Sequence, residues 1–248
     1  MILQTTLPYD VLKPRALPGI APLDTAPWFL VDEAYSAQMA ERARLLIERR
    51  DEVIATDQPS PDSLSKMMEA VLTHLPEGFV RASDQITCPD GRVIQLDRSD
   101  PFGTLGQILQ DDICLMEKRG KEHVLTGAVL CFPASWRLRE KIGMPLTHIH
   151  VPVTSYTDDI ARRVQRLFDG VRPGHPIWRF NALWYEEPHL YQPRTESEPR
   201  PLTEVGKTPY LRSERQVLWR LPESDAVLFT IHTFILKRES LDLLATQW

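Results

Sequence analysis

Hydrophobic residues in the first third of the chain recur at helical spacing. Residues 32–55 contain neither Gly nor Pro, are rich in helix-forming residues, and place Ala40, Ala43 and Ile47 three or four positions apart. Residues at this spacing share one face of a helix. The pattern therefore predicts one long helix over 32–55.

A second helix is predicted a few residues further along. Asp62 or Ser63 can cap its first turn, and the helix is expected to run to about His74, where a proline and a glycine follow.

Ahead of both helices, residues 1–30 are rich in proline and hold scattered hydrophobic residues, which is typical of an extended arm that wraps a domain. Residues 31–78 are thus the predicted helical segment.

The rest of the chain has mainly the pattern of β-strands. Residues 85–96 predict a hairpin that turns at Pro-Asp-Gly, and residues 111–118 and 123–132 predict a second hairpin. Residues 158–171 predict an amphipathic helix, because their hydrophobic residues fall on one face and their arginines on the other. Residues 176–187 predict a further strand.

The last two strand-like runs allow a register to be predicted. They flank a four-residue turn at residues 222–225. If the runs pair as a simple hairpin, Trp219 lies opposite Leu228, and Arg215 lies opposite His232.

Together these elements predict an α+β fold, with an antiparallel sheet of about five or more strands and helices packed on one side. We expect one domain over residues 1–248, made of the arm at 1–30, the helical segment at 31–78 and a sheet-containing core at 79–236. A chain of 248 residues can bury a core large enough to include a cofactor pocket.

Composition narrows the classes of partner. A net charge of −5 provides no basic face for phosphate backbones, so nucleic acid is not an expected partner. No apolar run approaches the roughly 20 residues that span a bilayer, and the N-terminus lacks the pattern of a secretory signal. The three cysteines are odd in number and unclustered, which favours a reducing compartment and predicts a cytoplasmic protein.

Two histidines one residue apart, His148 and His150, raise the question of a metal site. In a strand they would share a face and could reach one ion, whereas in a helix they would point apart. The next acidic residue is Asp158, so a metal site built from this segment alone lacks ligands. Ordinary hydrogen bonding or packing is the usual role of such a pair. His150, however, lies in the apolar stretch IHVPV, a setting suited to a neutral imidazole that ligates haem iron.

Cysteine is the competing haem ligand, but neither candidate displaces His150. Cys88 precedes Pro89 in the predicted Pro-Asp-Gly turn, and Cys131 is most simply a small buried hydrophobic residue. The chain contains no phosphate-binding loop, nucleophile elbow or paired-cysteine motif. Redox chemistry would therefore require a bound cofactor.

Three arginines in predicted strands, Arg179, Arg215 and Arg220, are candidates for binding anionic groups such as the propionates of haem. Arg215 and Arg220 are an odd number of residues apart, so a regular strand sends them to opposite faces. Only one of these two is expected to line a given pocket. A surface salt bridge is the alternative role for each.

Several motifs together resemble one family. They include LPGIAPLD and WFLVDEAY near the start, DDICLM and CFPASWRLREKIGMPLTHIHVPV in the middle, and ERQVLWRLP with AVLFTIHTF near the end. The chain is similar to the haem-dependent oxidative N-demethylase α-subunit family, and the matching motifs are spread over nearly its whole length.

The resemblance implies a PAS-like fold that holds haem b through an axial histidine, here His150. It implies O₂-dependent oxidation of a small secondary amine such as dimethylamine to methylamine and formaldehyde. Electrons would come from reductase subunits with flavin and an iron–sulfur cluster, and a folate-binding subunit would accept formaldehyde. Arg215 and Arg220 lie in the matching ERQVLWRLP stretch, so the resemblance makes these two candidates for the propionates, whereas Arg179 is a candidate from its predicted strand alone.

Two departures from the family pattern bear on whether this chain has the same substrate as the family. The chain reads Arg179, Phe180, Asn181 and Ala182 where an Arg-x-Asn-Trp block is expected, and it ends at LDLLATQW soon after the last predicted strand, where longer extensions are expected. Two alternatives therefore stay open, namely a haem-binding sensor or carrier without catalysis, and a cofactor-free PAS-like interaction domain.

Overall fold

The computed structural model describes residues 1–13, 19–149, 158–198 and 207–245, and these form two sheets and a set of helices. The strands are β1 (Ala21–Pro22), β2 (Ile54–Thr56), β3 (Val80–Arg81), β4 (Gln85–Thr87), β5 (Val93–Gln95), β6 (Asp112–Arg119), β7 (Glu122–Val129), β8 (Ile177–Tyr185), β9 (Tyr210–Arg220) and β10 (Val227–Lys237). The helices are α1 (Tyr35–Glu48), α2 (Arg50–Val53), α3 (Pro61–Thr73), α4 (Pro101–Ile108), α5 (Leu138–Lys141), α6 (Leu146–Ile149), α7 (Asp158–Gly170) and α8 (Arg238–Ala245).

The main sheet has seven strands in the order β1-β8-β9-β10-β6-β7-β2, and every neighbouring pair is antiparallel. The second sheet is the small meander β3-β4-β5. The predicted mixture of helices with a large antiparallel sheet is confirmed.

The predicted register of the last hairpin is also confirmed. Trp219 pairs with Leu228, and Arg215 pairs with His232. The turn closes through the backbone N–H of Leu221, which donates to the carbonyl of Ala226 at 3.0 Å. Strand β9 begins four residues before the predicted start, at Tyr210.

The two other predicted hairpins form as well. The turn between β4 and β5 is closed by the backbone N–H of Cys88, which donates to the carbonyl of Arg92, and by Gly91, whose φ of 84° suits glycine in a tight turn. Strands β6 and β7 pair around Gly120, and their register shifts between Leu115 and Met116.

The single long helix predicted over 32–55 is wrong. Helix α1 ends at Glu48, the short helix α2 follows, and residues Ile54–Thr56 then form β2, which pairs with Val129, Ala128 and Gly127 on β7. Helix propensity favours continuation, but pairing with an otherwise open sheet edge satisfies the backbone groups of these residues.

The prediction that helices pack on one side only is also wrong. Ile113 and Leu115 of β6 join the core with residues of α1, α3 and α4, whereas Cys114 and Met116 join a second core with residues of α5, α6 and α7. Alternate residues of a strand face opposite ways. Because β6 is apolar at both sets of positions, each face of the sheet must be covered.

The N-terminal arm contains no helix in its described parts, and it packs on β9 and β10 in the middle of the main sheet. Leu7 and Tyr9 join a third core with Leu211, Phe234 and Leu236. The hydroxyl of Tyr9 shares a hydrogen bond of 2.9 Å with that of Ser213.

Candidate haem-binding cavity

A cavity of about 590 Å³ lies between the main sheet and the helices α5, α6 and α7. Its floor is formed by β6, β8, β9 and β10, and Arg194, Thr195, Glu196 and Glu198 also line it. The volume falls within the range of roughly 300–1,000 Å³ that is typical of cofactor and small-molecule pockets. The register of the floor strands decides which side chains meet in the cavity.

One half of the floor is apolar. Leu218 of β9 pairs with Phe229 of β10, and Phe229 pairs in turn with Cys114 of β6, so these three side chains form one row across the sheet. Met116 and Leu125 extend the same surface. A flat apolar ligand placed on this half would bury its surface without leaving polar groups unpaired.

The other half of the floor is polar. Asn181 of β8 pairs with Glu214 of β9, and Arg179 pairs with Gln216 in the next row. Oε2 of Glu214 accepts hydrogen bonds from the amide groups of Asn181 at 3.0 Å and Gln216 at 3.2 Å. Its Oε1 lies 3.3 Å from Nε of Arg212. The carboxylate of Glu214 is therefore well bonded inside the cavity.

Arg212 is held firmly at the edge of this polar half. Its Nη1 and Nη2 donate to the carbonyls of Leu190 at 2.9 Å and Phe132 at 2.6 Å, in addition to the contact with Glu214. The side chain is only 2% exposed, so these bonds compensate the burial of its charge.

Arg179 has no such compensation. Among the residues that the structure describes, its guanidinium makes no hydrogen bond or ion pair, and its buried Nε is unpartnered. Burial lowers the pKa of Arg179, and the charge of Glu214 opposes that shift. An unpaired guanidinium on a cavity wall is a receptor for an anionic group of a ligand.

The cavity wall beyond the sheet carries more charge. Lys141 at the end of α5 is 5% exposed and pairs with Glu196. The neighbouring side chain of Glu140 also lines the cavity, but its buried Oε2 has no partner among the described residues. The same is true of Oγ of Ser135, whose backbone N–H is held by the carbonyl of Gln192 at 3.0 Å.

The two other predicted arginines lie elsewhere. Arg215 is on the opposite face of the sheet, where it donates to the carbonyls of Trp28 at 2.7 Å and Pro27 at 2.6 Å and so ties the arm to β9. Arg220 is on the cavity face but does not line the cavity, and it pairs with Asp225 at 2.7 Å. The prediction that Arg215 and Arg220 face opposite ways is confirmed.

His150 lies outside the described residues. The residue before it, Ile149, ends α6 and lines the cavity. His148 is exposed, and it belongs to that short helix rather than to the strand in which the two histidines would share a face.

The three cysteines are free and buried. Cys88 closes the β4–β5 turn, Cys131 belongs to the core with α1, and Cys114 lies on the cavity floor. Burial raises the pKa of each thiol, so they are neutral at physiological pH. No cluster of three or more His, Cys, Asp or Glu suitable for a metal ion occurs within the described ranges.

The residues present fit a haem group. The apolar half of the floor matches the macrocycle, and the unpaired guanidinium of Arg179 matches an anionic propionate. Sequence reasoning found Arg179 but missed Ser135, Glu140, Arg212 and Glu214. The even spacing of Arg212 and Glu214 from Leu218 would have placed all three on one strand face, had the cavity face been known.

One comparison with known proteins identifies a family. The model of the family described as "Haem-dependent oxidative N-demethylase, alpha subunit-like" matches residues 19–243 of this chain. In the part of the chain that the structure describes, no helix is both long and apolar enough to cross a membrane.

Proposed function

This chain belongs to the haem-dependent oxidative N-demethylase, alpha subunit-like family, and from that premise we propose that its cavity binds haem b, with His150 as the axial ligand of the iron. The observation that carries the proposal is the division of the cavity floor into an apolar half and a polar half that contains Arg179. The position of Ile149 on the cavity wall, one residue before His150, supports the choice of ligand.

We assign a haem propionate to Arg179 rather than to Arg215 or Arg220. The guanidinium of Arg179 is unpaired among the described residues, whereas Arg215 already donates to two backbone carbonyls and Arg220 to a carboxylate. A new charge-assisted hydrogen bond is gained at Arg179 without breaking an existing one.

We propose that the bound haem supports O₂-dependent demethylation of a small secondary amine such as dimethylamine. One O₂, two electrons and two protons would convert dimethylamine into methylamine, formaldehyde and water. Haem supplies the oxygen and electron chemistry when bound. The residues of this chain would bind and orient the ligands, and their apolar wall would keep water from the reacting groups.

The proposal includes the rest of the system. Electrons would come from separate reductase subunits that carry flavin and an iron–sulfur cluster, and a folate-binding subunit would take up the formaldehyde. We also propose that residues 1–248 form one cytoplasmic, PAS-like domain. The antiparallel sheet that floors the cavity supports the proposed fold, and the three free cysteines support the proposed compartment.

The decisive experiment is a titration of purified protein with haemin, followed by absorbance in the Soret region. We expect saturable uptake by the wild type and an uptake weakened at least about tenfold, the scale of one lost bond to a charged or metal group, in His150→Ala. His148→Ala is the matched control, since its side chain is exposed two residues away. Normal haem spectra in His150→Ala would refute the axial role.

Catalysis is tested separately. Haem-loaded protein with dimethylamine, O₂ and a flavin and iron–sulfur reductase system should release formaldehyde. Haem binding without formaldehyde would favour a sensor or carrier, and a protein that takes up no haem would favour a cofactor-free interaction domain.

A further inference from the structure

Three polar atoms on the cavity wall have no partner among the described residues. They are Oγ of Ser135, Oε2 of Glu140 and Nε of Arg179, and each is buried. A buried polar atom without a hydrogen bond costs roughly 1–3 kcal/mol. Three such atoms around one cavity indicate a ligand with polar groups at matching places.

The charges of the cavity point to the kind of ligand. Lys141 is paired with Glu196, and Arg212 is paired with Glu214. Among the charged side chains that line the described part of the cavity, the two with a buried atom that lacks a partner are Arg179, which is cationic, and Glu140, which is anionic. A propionate at Arg179 would leave the carboxylate of Glu140 to be matched by a cation.

The wall around Glu140 offers two acceptors. The hydroxyl of Ser135 lies five residues earlier on the same segment, and both unpartnered oxygens belong to the cavity wall. Ser135 has a φ of 65°, a left-handed conformation that non-glycine residues adopt at a cost of roughly 1–2 kcal/mol. Backbone strain of this kind is often retained at binding sites.

We propose that Glu140 binds the ammonium group of the amine substrate and that Ser135 accepts its second N–H. This assignment rests on the proposed function, because it takes Arg179 to be occupied by haem. Aliphatic amines, like the side chain of Lys, are cationic at neutral pH. A secondary ammonium has two N–H donors, a tertiary one has one, and a quaternary one has none.

Isothermal titration calorimetry tests this order of preference directly. Haem-loaded wild-type protein should bind dimethylammonium more tightly than trimethylammonium, and tetramethylammonium most weakly. Glu140→Gln should weaken dimethylammonium binding about 10- to 100-fold, as expected for loss of a hydrogen bond to a charged group. Ser135→Ala should weaken it less and should bring dimethylammonium and trimethylammonium closer together.

Glu198→Gln is the matched control. Glu198 also lines the cavity and loses the same charge, but it is exposed and its carboxylate already accepts from the backbone N–H of Thr195 at 2.8 Å. We expect its affinity for dimethylammonium to stay within twofold to threefold of the wild-type value. Glu140→Asp, which keeps the charge, should bind better than Glu140→Gln.

Several results would overturn the proposal. They are an unchanged affinity in Glu140→Gln, no binding of dimethylammonium by the wild type, or equal affinity for the three ammonium ions. If Glu140→Gln does not fold, the ammonium series on the wild type and Ser135→Ala still decides. Repeating the titration without haem, beside the Soret measurement, separates a failure of the amine site from a failure of haem binding.

Discussion

Nδ1 of the His232 imidazole lies 3.0 Å from Oδ2 of Asp111, and both side chains are buried. Nε2 of the same ring lies 3.1 Å from Oδ2 of Asp32, which lies just before α1. Burial alone would lower the pKa of His232, but the two carboxylates outweigh it and raise the pKa to about 9. The imidazolium therefore joins the segment before α1 to β10 in the middle of the sheet.

The raised pKa predicts a dependence of stability on pH. An unfolded histidine titrates near 6.5, so the folded protein holds this proton more tightly. The resulting stabilisation, on the order of 3 kcal/mol, is fully present below about pH 6.5 and is lost as the pH rises through about 9. Urea unfolding between pH 6 and 10 should show this fall.

The variant His232→Gln should lower stability below pH 6.5 and remove most of that slope. His175→Gln, in an exposed turn, is the control and should keep it. A wild-type stability that does not change over this range would contradict the charged state of His232.

Arg42 of α1 and Asp112 of β6 form a second buried pair, with Nη1 of Arg42 2.7 Å from Oδ1 of Asp112. Asp112 also accepts from the backbone N–H groups of Cys131 at 2.7 Å and Phe132 at 2.9 Å. Removing one partner of a buried pair leaves an uncompensated charge, which costs about 3–5 kcal/mol. We expect this loss in the free energy of unfolding of Arg42→Met, measured in urea.

The same helix provides a control for that prediction. Arg44 pairs with Glu41 and Glu48 on the exposed surface. Exposed pairs contribute about 0–1 kcal/mol, so Arg44→Met should be nearly neutral. Equal losses in the two variants would show that burial of the Arg42 pair is not what matters.

Gly127 of β7 allows the ring of Phe102 to approach the sheet. A Cβ at this position would lie 2.5 Å from both Cε2 and Cζ of Phe102, so either the ring or the strand must move. We expect Gly127→Ala to lower the free energy of unfolding by about 1–3 kcal/mol, the usual cost of overpacking. Gly170→Ala, where no atom lies within 4 Å of the new Cβ, should have little effect.

A double variant shows whether the ring is the cause. Phe102→Leu shortens the side chain that meets the new Cβ, so Gly127→Ala should cost less in that background than alone. If the losses in free energy of unfolding of the two single variants simply add, contact with the Phe102 ring is not the cause of the cost of Gly127→Ala.

Substitutions of the three arginines that the sequence predicted as propionate ligands should have different effects on haem affinity and stability. Arg179→Gln removes the unpaired guanidinium of the cavity and should weaken haem affinity about tenfold or more, with little change in stability. Arg220→Gln, on the same sheet face but outside the cavity, should leave haem affinity unchanged. Haemin titration measures both, and equal affinities would remove Arg179 from the site.

Arg215→Gln should act differently from both. Its guanidinium donates to two carbonyls of the arm, so its loss should release that contact and lower the unfolding midpoint while haem affinity is kept. Thermal unfolding, run beside the haemin titration, distinguishes these effects. Loss of haem affinity in Arg215→Gln at unchanged stability would contradict the location of its side chain.

The sequence alone determined the local features of this protein. The two strand-like runs and the four-residue turn between them were enough to pair Trp219 with Leu228, because hairpin register follows from turn length. The alternation of side chains between the two faces of a strand placed Arg215 and Arg220 on opposite faces. The family was recognisable from motifs spread along the chain, and the family match over residues 19–243 confirms it.

Only the tertiary structure decided where those local features lie relative to one another. Odd or even spacing along a strand tells which residues share a face. It does not tell which face the helices cover, and here they cover both. The cavity brings Glu140, Arg179 and Glu214 together from α5, β8 and β9, elements distant in sequence. Which of their charges is left unpaired depends on distances across the cavity, and the order of residues along a chain does not contain those distances.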